Sequence, residues 1–422
     1  MLLQFNFQNF KSFRDEAILD MSATGISEFK HHVVDVGVEK VLPIAAIYGA
    51  NASGKSNVIE AFEFMLHYVL YSFGFGGDGS GKREGIRAIR TRPFSLDKES
   101  MSKESVFEVY FTQKSAGIDR VYNYGFSIQQ NEIIEEWLNY KAKASKGAFK
   151  RVFYRTSEKI EFEDIGERQQ ENIRIALEKE TLILSLGAKL KVKRLKEVRD
   201  WFYKNEIADF GNPRSNLFLS TSLPDGFVED ANVQQEVINF FATFDPSIVG
   251  FNVEEKEESE DRPATVKVDA LHKMNDSDDL VAIPLAAESA GTLKMFALYP
   301  MLHNVLENGG VLFVDELNAR LHPILVRAFV IMFLDSTKNP NHAQLVFTTH
   351  DTWQLDNDMM RRDEVWLTEK RTDGSSSLYS LAEFTDDNGT KIRKDENYEK
   401  NYLLGKYGAI PQMRSIDILK GE

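Results

Sequence analysis

The chain has 422 residues, ordinary globular proportions of apolar and aromatic residues, a formal net charge of −14 and no cysteine. That length allows two to three domains, and the missing cysteines exclude disulfides, a cysteine zinc cage and thiol chemistry. The acid excess opposes indiscriminate binding to a polyphosphate backbone, and no apolar run is long enough for a membrane span, so a cytoplasmic protein with no membrane partner is expected.

In chain order, residues 2–9 alternate as a strand with no secretory pattern before it, then turn at Asn9-Phe10-Lys11-Ser12-Phe13. A buried strand is predicted over 41–48, ending at Gly49. From Ser56 a helix is predicted, with Val58, Phe62, Met65, Leu66 and Val69 on one face. Residues 74–85 are a glycine-rich loop. Antiparallel strands are predicted at 106–111, 121–128 and 133–140. From about 167 to 244 the pattern is helical. There, Leu195, Val198 and Phe202 share one face, with Lys189, Lys193, Arg194, Lys196 and Arg199 mostly elsewhere. The acidic run 254–261 and residues 275–279 read as solvated loops around a hairpin. Strands return at 311–314 and 344–349, with a helix from Pro323 between them, and again at 364–368 and 378–381. This alternation predicts an α/β fold with a mostly parallel sheet whose two halves are separated by an insert.

Gly49-Ala50-Asn51-Ala52-Ser53-Gly54-Lys55-Ser56 satisfies G-x-x-x-x-G-K-S/T between a predicted strand and a predicted helix. Glycine lets the backbone wrap phosphate oxygens, and helix-start amides face the anion. Lys55 would reach the β- and γ-phosphates of ATP, and Ser56 would ligate Mg²⁺. Residues 76–83 repeat the glycines and lysine but end in arginine and follow no strand, so they read as a surface loop. Four apolar residues, 311–314, deliver Asp315 and Glu316, the first to hold Mg²⁺ and the second to orient or deprotonate the attacking water. His350, at the end of the next strand, is placed to meet the γ-phosphate and that water. Glu288-Ser289-Ala290-Gly291-Thr292-Leu293-Lys294 precedes a helix; Ser289 and the backbone at Gly291 form a second helix-start anion site, or an ordinary N-cap.

Together these residues resemble the ABC-type ATPases of the Rad50, SMC and RecF group. Asn9-Phe10-Lys11-Ser12-Phe13 looks like that group's amino-terminal element, and the resemblance implies that Lys11 and Ser12 touch nucleotide. Asn51, Ala52, Ser53, Gly54, Lys55, Ser56 and Asn57 match its Walker A loop, Asp315-Glu316 its Walker B pair, residues 318–322 its D-loop and His350 its switch histidine. Ser289 and Gly291 stand at the signature motif, though the sequence is ESAGT rather than LSGGQ. The resemblance implies that they contact the γ-phosphate held by a second copy, in a head-to-head dimer. No glutamine lever loop is placed, with Gln113 a bare candidate.

A closer resemblance, on residues 288–298, 315–323, 348–351, 361–366 and 402–411, is to prokaryotic AAA-15-type ATPases, the RloA- and AbiL-like proteins of phage-defence loci. It implies an ABC-type head with a mixed, largely parallel sheet, an antiparallel β-subdomain and a helical insert. Residues 1–150 and 281–422 would be the two lobes of that head, and 151–280 the insert. It further implies ATP hydrolysis with Mg²⁺, self-association, and a separate nuclease-like effector. A DNA-repair ATPase of the RecF or Rad50 kind, contacting nucleic acid through the basic face near Lys193, Arg194 and Lys196, is the alternative. A transporter motor fits less well.

Overall fold

The computed structural model describes residues 1–422 except 38, 76–89, 116, 143–146, 213–222, 225, 243, 257–264, 386–388, 390, 394–395 and 412–422. The glycine-rich segment 76–83 and most of the acidic run 254–261 therefore lie outside the described residues.

Six strands form the central sheet, in the order Glu206–Asp209, Val311–Asp315, Gln344–Thr348, Ile44–Gly49, Val365–Lys370, Ser376–Ser380. The first five run parallel, and only the last pair is antiparallel. Side chains of a strand alternate between faces, so a sheet covered on both sides needs continuous apolar strands. These strands have that pattern. Ala45, Ile47, Val311, Phe313 and Val346 enter one apolar cluster. Their neighbours Ile44, Ala46, Leu312, Val314 and Phe347 enter a second on the opposite face.

A seven-stranded antiparallel sheet covers the first cluster. Its order is Ile160–Phe162, Lys150–Thr156, Glu132–Ala142, Ile118–Gln129, Ser105–Ser115, Leu2–Gln8, Ala17–Asp20. Helix Lys55–Tyr71 lies between the two sheets. Its Phe62 stacks on Phe313 of the central sheet, 4.2 Å between ring centres, and meets Phe5 of the antiparallel sheet edge-on at 5.2 Å. One side chain thus fixes the helix against both layers, and truncating it would cost about 3–5 kcal/mol. On the other face, helices Ala290–Asn308 and Pro323–Leu334 pack into the second cluster. A three-stranded sheet, Ile248–Lys256, Thr265–Lys273 and Leu280–Pro284, runs into the start of helix Ala290–Asn308.

Strand Glu206–Asp209 differs from the expectation for its region. It lies within the stretch read as helical, yet it is the edge of the central sheet, paired in parallel with Val311–Asp315. Helices Glu167–Ala176, Ile183–Lys189, Lys193–Tyr203 and Ala231–Phe241 surround it in sequence. Among the described residues, no helix is long and apolar enough to cross a membrane.

Candidate functional site

Three adjacent parallel strands end at one edge of the central sheet and place the site there. Strand Ile44–Gly49 runs into the phosphate loop, Val311–Asp315 ends in the two carboxylates, and Gln344–Thr348 leads to His350. The carboxyl edge of a parallel sheet is where such folds gather their ligand groups.

The loop geometry explains its glycines. Gly49 has φ +156, and a Cβ there would lie 2.4 Å from Thr368 Oγ1 and 2.5 Å from the Thr368 carbonyl oxygen. Gly54, at φ +113, is the N-cap of helix Lys55–Tyr71 and provides no side-chain cap. The first amides of that helix are therefore free of side-chain competition for an anion. Ser53 is buried, and its hydroxyl is bonded to Thr368 Oγ1 at 2.6 Å. Asn51 and Ala52 are exposed, and Ser56 and Asn57 are half-buried.

Lys55 is 6% exposed, and its Nζ donates to the carbonyls of Gly49 and Ala50, both at 3.0 Å. Burial pulls its pKa down to about 8, against opposing pulls from Asp315 and Glu316. Asn57 donates to Ser12 Oγ at 2.7 Å, and Ser376 Oγ meets the same hydroxyl at 2.8 Å. Ser12 therefore joins the loop, whereas the Lys11 ammonium is paired with Glu60 on the helix.

On the neighbouring strands, Thr348 positions both acidic residues. Its hydroxyl donates to Asp315 Oδ1 at 2.6 Å and accepts from the Glu316 backbone N–H at 2.8 Å. Asp315 is buried; beside its Oδ2 lies Gly211, where a Cβ would approach to 2.7 Å. Glu316 has φ +53, a conformation that non-glycine residues adopt chiefly where surrounding contacts impose it. His350 Nε2 stands 3.8 Å from Glu316 Oε1. Burial, and then Lys55, hold its imidazole below the ordinary histidine range. Asn318 ties the two loops, its Oδ1 accepting from Thr349 Oγ1 at 3.0 Å and from the His350 amide at 3.2 Å.

Ser289 caps helix Ala290–Asn308, accepting from the Thr292 amide at 3.1 Å and bonded to the Thr292 hydroxyl at 2.8 Å. It and Gly291 line a cavity of about 370 Å³ with Asp245, Thr292, Met295 and Arg320. Among the described residues, no hydrogen bond links Ser289 or Gly291 to residues 49–57.

Several site residues escape sequence reasoning. Lys294 is buried, and its ammonium donates to the carbonyls of Glu316, Leu317 and Ala319 at 2.8, 2.9 and 3.0 Å. Burial pulls its pKa down to about 7. Asp209 lies level with Asp315 on the adjoining strand, and burial raises its pKa, with Asp315 adding to the effect. Thr348, Thr368 and Ser376 act through contacts between strands, which spacing along one strand does not reveal. Gln113 sits in strand Ser105–Ser115 and donates to the Glu197 carbonyl at 2.7 Å, bracing a helix. The basic residues of the helical region are largely engaged within the chain. Arg194 pairs with Asp164, Lys196 with Asp200, and Arg199 donates to the Leu70 carbonyl.

A family model described as "AAA domain, putative AbiEii toxin, Type IV TA system" matches residues 44–353. Among solved structures, the chain is similar to one described as the recombination mediator protein RecF with ATP in the RecFOR pathway. Identity is 14%, the match covers 90% of this chain and 97% of that one, and the TM-score is 0.32. No curated protein matches.

Proposed function

Since the chain belongs to the AAA-domain family whose description names the AbiEii toxin of type IV toxin–antitoxin systems, we propose that it binds and hydrolyses ATP as an ABC-type ATPase, two copies closing head to head around the nucleotide. The observation that carries this reading is the convergence of Lys55, Asp315, Glu316 and His350 at the ends of three adjacent parallel strands.

The amides at the start of helix Lys55–Tyr71 and the Lys55 ammonium bind the β- and γ-phosphates. Ser12, Asn51, Ala52, Ser53, Gly54 and Asn57 shape the loop around them, with Lys11 at its rim. A serine hydroxyl and a carboxylate are hard oxygen donors of the kind Mg²⁺ takes, and Gly211 leaves room beside Asp315 Oδ2. Ser56 and Asp315 would hold the ion, which supplies charge neutralisation across the phosphates. Glu316 orients a water and receives its proton. The water oxygen bonds to the γ-phosphorus while the bond from that phosphorus to the β–γ bridging oxygen breaks, and ADP leaves with the electron pair. His350 positions the water and the γ-phosphate by hydrogen bonding. Ser289 and the Gly291 backbone of the second copy close the site from the far side.

In the cell, this ATPase serves as the sensor and scaffold subunit of a prokaryotic antiviral defence system and controls a separate nuclease-like effector. The toxin–antitoxin wording of the family description fits that role. Light scattering of the Glu316→Gln chain with ATP and Mg²⁺ tests the dimer; a mass that stays monomeric counts against it. Phage plating on cells carrying the chain with its neighbouring gene tests the defence role; plating unaffected by Lys55→Ala removes it.

A further inference from the structure

The cavity in front of Ser289 has a charged wall that the function above does not use. Arg320 lines it beside Ser289, Gly291 and Thr292, and its side chain is exposed. Among the described residues, no ion pair or side-chain hydrogen bond engages its guanidinium. Arg327, a few residues on, shows the ordinary alternative: it pairs with Asp356 and lies over the Trp353 ring.

The backbone that carries Arg320 is fixed from two sides. Lys294 grips the carbonyls of Glu316, Leu317 and Ala319. Gly291 lies so close that a Cβ there would approach the Arg320 carbonyl oxygen to 3.0 Å. Arg320 itself has φ +64, a conformation held by its surroundings rather than preferred by the residue. The loop thus presents Arg320 and the helix start at Ser289 as one unit.

The same loop faces two ways. Its first residue, Glu316, acts on Lys55 and stands beside His350. Its fifth, Arg320, opens on the Ser289 cavity. The helix start there is a weak anion site by itself, because Ser289 already spends its oxygen on the Thr292 amide. Asp245, anchored by the Ser247 amide at 3.2 Å and hydroxyl at 2.6 Å, adds an opposing carboxylate. A terminal phosphate needs a cation there to compete, and a planar guanidinium matches phosphate oxygens with paired donors.

Resting on the head-to-head reading, we propose that Arg320 is a catalytic residue acting in trans. Its guanidinium contacts the γ-phosphate bound by Lys55 of a second copy, beside Ser289 and Gly291. There it neutralises charge on the γ-phosphoryl oxygens as water bonds to phosphorus and the bridging oxygen departs with ADP. The arginine neither gives nor takes a proton in that step.

Arg320→Ala is expected to lower ATP turnover by on the order of 10³-fold, the lower end of what trans arginines supply. The double variant with Glu316→Gln should still dimerise with ATP. Mixing decides the direction of action. The Lys55→Ala chain holds nucleotide of its own only weakly but carries Arg320, so adding it to the Arg320→Ala chain, at ATP levels that fill only the latter, should restore turnover. Arg320→Lys should recover only part of the rate, since an ammonium lacks the paired donors. Wild-type turnover by Arg320→Ala overturns the assignment, as does a mixture that stays inactive although Arg320→Ala still dimerises. Failure of Glu316→Gln to dimerise removes the head-to-head reading and this assignment together, and is recognised by mass alone.

Discussion

Two helices begin at the two halves of the proposed site, and they are finished differently. Helix Lys55–Tyr71 starts from Gly54 without a side-chain cap, behind a loop held by Ser53–Thr368, Asn57–Ser12 and the lysine's own bonds to Gly49 and Ala50. Helix Ala290–Asn308 starts from Ser289, whose hydroxyl is already spent on Thr292. The first is a ready anion cradle within one chain. The second has its amides partly satisfied and a carboxylate nearby, so it needs an added cation and an incoming phosphate to become a site. Both are helix N-termini; competition for their amides and the charge beside them separate the two.

That contrast can be broken first at the chemistry. Glu316→Gln keeps the size of the side chain and removes the base, so turnover should fall by about 10²–10⁴-fold while ATP affinity holds, as phosphate release and calorimetry would show. Next comes the cradle. Lys55→Ala removes charge-assisted bonds worth about 3 kcal/mol, so ATP affinity of the single chain should weaken by about 100-fold in fluorescence titration. Ser289→Ala should act on the other side alone. It should cost about 1 kcal/mol in thermal unfolding through the lost cap, leave single-chain ATP affinity unchanged, and weaken ATP-driven dimerisation. If it weakened single-chain affinity as strongly as Lys55→Ala, the separation of the halves would be wrong.

The smallest effect is one of pH. Burial holds the Lys55 ammonium at about 8, and a bound triphosphate raises it again. The complex therefore holds the proton more tightly than the free chain does, and binding takes up a proton above pH 8. Affinity should fall by up to about tenfold between pH 7 and 9, with proton uptake visible as calorimetric heat that depends on the buffer. Lys55→Arg, charged throughout, should flatten that dependence.

The readable parts of the molecule were those written locally. The strand 44–49, the glycines and the helix behind them lie within one stretch, so spacing and periodicity found them. The carboxylate pair was legible for the same reason. Strand Glu206–Asp209 was not: four residues with acidic ends, set among helices, carry too little alternation, and only pairing with Val311–Asp315 makes them a strand. Lys294 and Arg320 stood in recognised motifs but had no assigned work. Their meaning comes from carbonyls and a cavity brought together by packing. Lys11 shows the reverse, because its motif position suggested nucleotide while its ammonium lies against Glu60.

The strand that feeds the phosphate loop has both of its neighbours, Gln344–Thr348 and Val365–Lys370, far downstream of it in sequence. During translation, Ile44–Gly49 leaves the ribosome before either of them and must wait for its partners. A product that stops before those strands therefore leaves the strand behind the loop unpaired on both sides. A cut that separates residues 44–49 from both neighbours would likewise strip the loop of its support.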